Sequence, residues 1–447
     1  MKRAGRLAFL GATAAALAGP ALPAGLAAAP AWHDWRVDGA RVNRHLAELS
    51  RFGRNPQGGV TRLAFSPEDV AARQFAMGLM RAAGLDVRID AVGNLLGRRE
   101  GSVPGAAPIV FGSHIDSVPE GGNYDGDVGS MAAIEVAHAL QERGYRSRHP
   151  LVVAIWCDEE SGLTGSAGFV GNLAPERLAS LGRDGATLAD RIRRIGGAPE
   201  RLAEARHGEG SVAAYLELHI EQGGTLDEAG IPIGVVEGIV GIRHYQVTIA
   251  GFANHAGTTP MDRRQNALLA ASELVLAVDR IVRSVPGRQV GTVGRLSVRP
   301  GAPNVIPGEV KLTVELRDLG METIESLWSR IRAEAEAIGP RTGTAFTFEA
   351  EPANVAALTD PRVRGVIASA ARALGLAHTS LPSGAGHDAQ ELARIAPMGM
   401  IFVPSVKGIS HSPLELTRPG DVENGANVLL QALLRIDQDG LAAGDGR

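Results

Sequence analysis

The stretch IVFGSHIDSVPEGGNYDGDVGSMAAIE, residues 109–135, brings a histidine and two carboxylates together: His114, Asp116 and Asp125. Imidazole nitrogen and carboxylate oxygen are donors that a divalent cation takes when separate backbone segments converge on it and each donor is itself held in place. His114 and Asp125 suit contact with a cation. Asp116, two residues beyond His114 on an extended segment, is placed to accept the other ring N–H of that histidine. A single strand-end histidine is more often bonded to a loop, so this trio gains weight only from other donors. Three further segments offer them. Asp158-Glu159-Glu160-Ser161-Gly162 sets two glutamates side by side, so that one can bind metal while the other faces a substrate and moves a proton. Along Tyr215–Gly223 strict alternation puts Leu216, Leu218 and Ile220 on one face and Glu217, His219 and Glu221 on the other. Gly408-Ile409-Ser410-His411 supplies another histidine just past an apolar run. Taken singly these read as a solvated acidic loop, a surface strand face and a loop histidine; one metal centre accounts for all of them together.

The elements that must position these groups follow from periodicity. Ile109-Val110-Phe111 reads as a buried strand that breaks at Gly112 and delivers His114 and Asp116 to its C-terminal end, where α/β sheets place their sites. Asp125 comes just before a helix expected over 129–143. The seven apolar residues 151–157 suit a strand covered on both faces, ending in the two glutamates, and the apolar run 400–403 leads to His411. Upstream, helices surround a Gly-rich loop at 55–59; the second spans 67–83, with Ser66 as N-cap and Gly84 as stop, and a strand pair follows at 86–89 and 94–98. Between 243 and 352 the order changes to strand 244–250, helix 266–285, strands 291–298 and 309–317, helix 322–338 and strand 345–351. That order, β-α-β-β-α-β, is a ferredoxin-like split unit. It interrupts an α/β domain, which divides the chain into 32–242 with 353–447, and an insert at 243–352.

Composition limits the function classes. With 447 residues, 45% hydrophobic and 21% charged, the chain is long enough for about two domains with real cores. A net charge of -4 without basic runs argues against nucleic acid as a partner. The single cysteine, Cys157, excludes an intramolecular disulfide framework. Lys2, Arg3 and Arg6 before an apolar, Ala-rich stretch form a signal peptide over residues 1–31, too short to span a membrane comfortably. The mature chain is expected to be periplasmic or secreted and free of the membrane; separated arginines favour Sec over twin-arginine export.

Beyond these readings, GSHIDSVPEGGNYDGDVG, CDEESGLTGSAGFVG, LELHIEQG, GFANHAGTTPM, PNVIPGEVKLTVELRD, SGAGHDAQ and GISHSPLE together resemble the M20-type dinuclear metallohydrolases. The resemblance is to the amidohydrolase branch acting on N-carbamoyl amino acids, allantoate and β-ureidopropionate. It implies a mixed-sheet, zinc-exopeptidase-like catalytic domain whose ferredoxin-like insert serves as lid and homodimer surface. It further implies two divalent metal ions bridged by Asp125, one held by His114 and His219 and the other by Glu160 and His411. Glu159 then takes the part of general base on the bridging water, with Asp116 behind His114. In the insert, Arg317 is expected to clamp a substrate carboxylate, Asn304 to bond the same end, and His255, reaching in from either subunit, to stabilise an oxyanion. Gln222 and the loop Ser383-Gly384-Ala385-Gly386-His387 are expected to line the pocket. The mixed nitrogen and oxygen donors leave zinc, manganese, cobalt and nickel open. The activity implied is hydrolysis of a ureido C–N bond with release of ammonia and carbon dioxide. The alternatives are an exopeptidase or aminoacylase with the same metal site, and a non-catalytic exported binding protein. No motif identifies which ureido acid is used.

Overall fold

The computed structural model describes residue 1 and residues 32–441, so the expected signal peptide lies outside the described residues. The chain divides into two compact units, Met1–Trp35 and Arg36–Arg447. Among the described residues of the first, Trp32–Asp34 form a 3-10 turn. The second carries everything discussed below.

Four parallel strands form the middle of a nine-stranded mixed sheet: Leu151–Trp156, Ile109–His114, Ala214–Ile220 and Met398–Val403, in that spatial order. Every residue of these four strands is buried, as the continuous apolar runs require of strands covered on both faces. Because they are parallel, all four C-terminal ends open on the same edge of the sheet, and each leads into one of the candidate donor segments. Antiparallel strands complete one side, Leu95–Arg99 against Leu151–Trp156 and Asp86–Ile89 beyond it. On the other side Ile233–Ile239 runs antiparallel to Met398–Val403, with Ala357–Leu358 and His378–Ser383 added to it. Helices Asp127–Glu142 and Pro419–Asp439 pack on the central strands and on each other. The expected helix after Asp125 thus begins two residues earlier than its apolar pattern, immediately behind that carboxylate.

Strand Ala214–Ile220 departs from the alternating reading. Its polar side is as buried as its apolar side: Glu217 is 0% exposed and accepts from Ser113 Oγ (2.8 Å), Tyr215 Oη (3.0 Å) and the Ala389 N–H (3.1 Å). An alternating sequence shows which side chains face together, and only the sheet order shows that this strand is central and its polar face an internal layer.

Residues 241–350 build a separate four-stranded antiparallel sheet in the order Ala345–Ala350, Gly241–Ala250, Glu309–Asp318, Val290–Arg299. Helices Ala267–Arg283 and Met321–Thr342 cover one face with a core of its own that includes Val247, Leu274, Leu312 and Ile331, and Trp328 stacks on Tyr245 at 3.8 Å. The second helix runs past the expected stop at 338, through Gly339-Pro340, and ends where Gly343 adopts φ 64 and returns its N–H to the Gly339 carbonyl.

One buried ion pair fixes the loops that carry the first donors, and no sequence signal pointed to it. Arg62, 1% exposed, donates to both oxygens of Asp127 (2.6 and 2.8 Å), to the Ile115 carbonyl (2.5 Å), and to the Phe52 and Leu49 carbonyls (2.9 and 3.1 Å). It thereby holds the turn between His114 and Asp116 and the residue two places beyond Asp125 on one guanidinium. Removing one partner of such a pair leaves the other charge stranded in a dry interior. Arg62→Met is expected to cost about 3–5 kcal/mol of unfolding free energy, whereas the double variant Arg62→Met, Asp127→Leu should recover most of it. Denaturant unfolding of the three proteins checks this, and a double variant no more stable than Arg62→Met would contradict it.

Candidate metal centre

His114 is the last residue of its strand, and its Nδ1 faces the Asp116 carbonyl at 3.0 Å. His219, on the adjacent strand, is fixed the same way by the Ile220 carbonyl at 2.9 Å. A carbonyl can only accept, so both rings carry a proton on Nδ1 and turn Nε2 inward, the atom a cation would take. The two rings lie 5.8 Å apart between centroids. Between them and the C-terminal arm sits the Asp125 carboxylate. Its Oδ1 is 3.1 Å from His219 Nε2 and 3.8 Å from His114 Nε2, and its Oδ2 is 3.1 Å from His411 Nε2. Glu160 Oε2 lies 3.6 Å from the same His411 nitrogen. The donors therefore form two groups, His114 with Asp125 and His219, and Asp125 with Glu160 and His411, each with its ligand atoms within 4.8 Å of one another. Asp125 belongs to both.

Several features show that these residues fit a cation. Glu160 Oε1 is buried with no hydrogen-bond partner among the described residues. Burial, together with the Asp388, Glu160, Asp116 and Asp125 carboxylates, pushes Glu159 well above the ordinary glutamate range, and burial with Asp125 raises Glu160 to about 7. Burial also drives His114 down to about 4, so its ring is neutral and its lone pair available. His219 goes the other way: against the effect of burial, the hydrogen bond to Asp125 raises it to about 9. The hydrogen bond to Asp125 likewise raises His411 to about 9, so Asp125 draws positive character from both imidazoles, which is the charge a divalent cation would supply in their place. Gln222, held at φ 57, donates its Nε2 to Asp125 Oδ2 (2.8 Å) and lies 3.4 Å from His411 Nε2, a neutral donor standing between the same two ligands.

Gly126 is required at its position, because its φ is 65 and a Cβ there would lie 2.4 Å from the His114 ring. Gly126 is the residue immediately before the helix Asp127–Glu142, so the chain enters that helix in contact with the imidazole.

Asp116 acts differently from the expectation. Its carboxylate is 3.7 Å from His114 Nδ1, too long for a hydrogen bond, and accepts instead from the backbone N–H groups of Glu159 and Glu160, both at 3.3 Å. Those N–H groups open the short helix Glu159–Gly162 and have no partner within it, which is why a buried carboxylate turns toward them. Asp116 thus orients both glutamates, while its own carbonyl orients His114. Glu159 Oε2 comes within 3.8 Å of His114 Nε2, beside the donors and outside either group.

A third set, Glu217, His219 and His387, is also close enough to suggest a ligand group. Glu217 is fully occupied by the three donors named above, and His387 Nε2 pairs with Ser383 Oγ at 2.8 Å, its ring edge-on to His219 at 4.4 Å. This set is a hydrogen-bonded backing to His219. His387, expected among the pocket-lining residues, is instead 1% exposed behind them. The cavity itself, about 770 Å³, is lined by Gln222, Gly384, Ala385, Ser410 and His411 among others.

The insert residues are only partly drawn in. Arg317 Nη1 donates to the Gly384 carbonyl (2.7 Å) and Nε to Glu315 (2.7 Å), which brings it to the cavity wall. His255 and Asn304 stand together on exposed turns, where Val305 bridges to His255 and the Ala256 N–H reaches the Asn304 carbonyl (3.0 Å). Among the described residues no hydrogen bond joins either of them to the ligand groups.

With that geometry in place, comparison with known proteins gives a consistent result. Residues 110–435 match the model of peptidase family M20/M25/M40. The chain is 41% identical over 407 residues to N-carbamoyl-L-amino acid amidohydrolase of Geobacillus stearothermophilus, covering 90% of this chain and 99% of that protein. It is 36% identical to ureidoglycolate hydrolase of Arabidopsis thaliana, over 90% of this chain and 87% of the relative. Among solved structures, a hydantoinase/carbamoylase family amidase from Burkholderia multivorans superposes with a TM-score of 0.84 at 38% identity, covering 90% of this chain and 98% of that one. Aminopeptidase PepT from Bacillus cereus, at 16% identity and a TM-score of 0.61, shares the fold. From its donor groups, its mixed sheet and these matches, the chain belongs to peptidase family M20/M25/M40, in the branch that contains the N-carbamoyl-L-amino-acid amidohydrolases.

Proposed function

We propose that this protein is a metal-dependent amidohydrolase that cleaves the ureido C–N bond of N-carbamoyl-L-amino acids or allantoate-like ureido acids, releasing ammonia and carbon dioxide. The observation that carries the reading is that Asp125 is shared between two donor groups while Glu159, a buried carboxylate beside them, belongs to neither. Two divalent cations, zinc, manganese, cobalt or nickel, would be held by His114, Asp125 and His219 and by Asp125, Glu160 and His411. When bound they supply Lewis acidity to a carbonyl oxygen and a lowered pKa to water.

The chain's own groups do the rest. Glu159 Oε2 accepts a proton from the attacking water and passes it to the leaving nitrogen, a role that its separation from both ligand groups keeps free. Water oxygen bonds to the ureido carbon, the bond from that carbon to the terminal nitrogen breaks, and ammonia departs. The carbamate left behind loses carbon dioxide to give the free amine. Arg317 offers its planar fork to the substrate carboxylate at the wall made by Gly384 and Ala385, with Gln222 across the cavity. Asn304 and His255 complete the site from the insert, His255 at the oxyanion.

The insert also supports a homodimer. Leu269 and Leu276 on helix Ala267–Arg283 are 53% and 72% exposed, and Leu296 on the edge strand Val290–Arg299 is 42% exposed. Exposed leucines beside an open strand edge are what a second subunit would cover, and the partner's turn would then bring a second His255 toward the site. Export through a Sec signal peptide would place this dimer in the periplasm or outside the cell.

Ammonia release from a panel of N-carbamoyl-L-amino acids, allantoate and β-ureidopropionate, with each metal added back to chelator-stripped protein, tests the reading; activity that survives stripping, or turnover of dipeptides alone, would overturn it. Glu159→Gln should keep its metal by elemental analysis while kcat falls by about 10²–10⁴; near-normal turnover would remove Glu159 from the proton path. For Arg317→Ala the loss should fall mainly on KM, and an unchanged KM would exclude the clamp.

A further inference from the structure

His411 is the least supported of the candidate ligands. The other four come from strand ends, a short helix or the start of a long one, with side chains at most 10% exposed, whereas His411 is 49% exposed. It lies on the irregular segment between strand Met398–Val403 and helix Pro419–Asp439, with its own φ at 52 and neighbours Lys407 and Gly408 at 59 and 67. Something must hold that arm against the Asp125 loop, which is 286 residues away by number, and beside Gln222 and Ser410 the most buried tie is a carboxylate.

Glu415, 4% exposed, stands between them. Its Oε1 accepts the backbone N–H groups of Tyr124 (2.8 Å) and Asp125 (3.1 Å), and its Oε2 accepts from Ser410 Oγ (2.8 Å). Ser410, adjacent to His411, also reaches Asp125 Oδ2 at 3.3 Å. Room for the carboxylate comes from Gly122, where a Cβ would lie 2.0 Å from Glu415 Oε1. No lysine or arginine forms an ion pair with Glu415 among the described residues, although Asp125 and Asp127 are near. Burying a carboxylate next to other carboxylates is unfavourable for folding, so its position is explained by what it holds.

We infer that Glu415 is a positioning residue that ties the His411 arm to the Asp125 loop and sets the affinity of the cation held by Asp125, Glu160 and His411, with a smaller effect on the cation at His114 and His219, which shares Asp125 but not the arm. The inference rests on the two-cation reading above. Groups that orient a ligand without touching the metal typically change affinity by about 10- to 100-fold, and here the change falls mainly on one site of two. A residue needed only for folding would weaken both sites together.

Zinc titration of stripped full-length protein, read by calorimetry and elemental analysis beside thermal unfolding, tests this. Wild type should take up two ions per chain. Glu415→Ala should keep one tight site and lose about 10- to 100-fold in affinity at the other, and Glu415→Gln, whose carbonyl can still accept both N–H groups, should recover much of the loss. Ser410→Ala removes the hydroxyl alone and should weaken the same site by several-fold, which carries the test if Glu415→Ala does not fold. Two sites of wild-type affinity in Glu415→Ala, equal weakening of both, or an unaffected Ser410→Ala would overturn the inference while leaving the two-cation reading intact. A wild type that binds a single ion would sink that reading, and the inference with it.

Discussion

Asp125 is a buried carboxylate with a histidine nitrogen 3.1 Å from each of its oxygens, contributed by His219 on a central strand and His411 on the C-terminal arm. The energetics of the site follow from that contact. A carboxylate in so dry a place is tolerated only with positive charge beside it, and against burial, His219 and His411 hold Asp125 well below the usual carboxylate range. Asp116, Glu159 and Glu160 crowd the same volume and are pushed the other way. Such an excess of acid is unfavourable for folding and useful for binding cations. The fold supplies the convergence: four parallel strands end on one edge, and separate stretches of chain meet there.

Around the donors a shell of fixed backbone does most of the aiming. Carbonyls of Asp116 and Ile220 set the tautomers of the two inner histidines, and the Asp116 carboxylate sets both glutamates through their N–H groups. Arg62 joins the two loops beneath. The insert differs in kind. It has its own sheet and core, it reaches the cavity through Arg288 and through the bond from Arg317 to the Gly384 carbonyl, and its turns with His255 and Asn304 stay exposed.

Much of this was legible in the sequence because it is local. Strand Ile109–His114, the apolar run before Glu159 and the β-α-β-β-α-β order of the insert each write their period into consecutive residues, and the structure places those elements within a few residues of expectation. What was not legible depends on contacts far apart in number. Arg62 looked like any arginine in a loop, since only the fold puts Asp127 and Ile115 beside it. The polar face of Ala214–Ile220 looked like a surface because alternation does not reveal sheet order. Asp116 was expected to face His114 with its carboxylate, but two residues of extended chain put its carbonyl nearer the ring and its carboxylate nearer the unpaired N–H groups of the next helix.

The central claim is that one carboxylate is shared by two cations. Anomalous X-ray scattering from crystals of the zinc-loaded protein measures it directly. The account predicts two peaks per chain, one against His114 and His219 and one against Glu160 and His411, with the Asp125 carboxylate touching both. A single peak, or peaks away from Asp125, would contradict it.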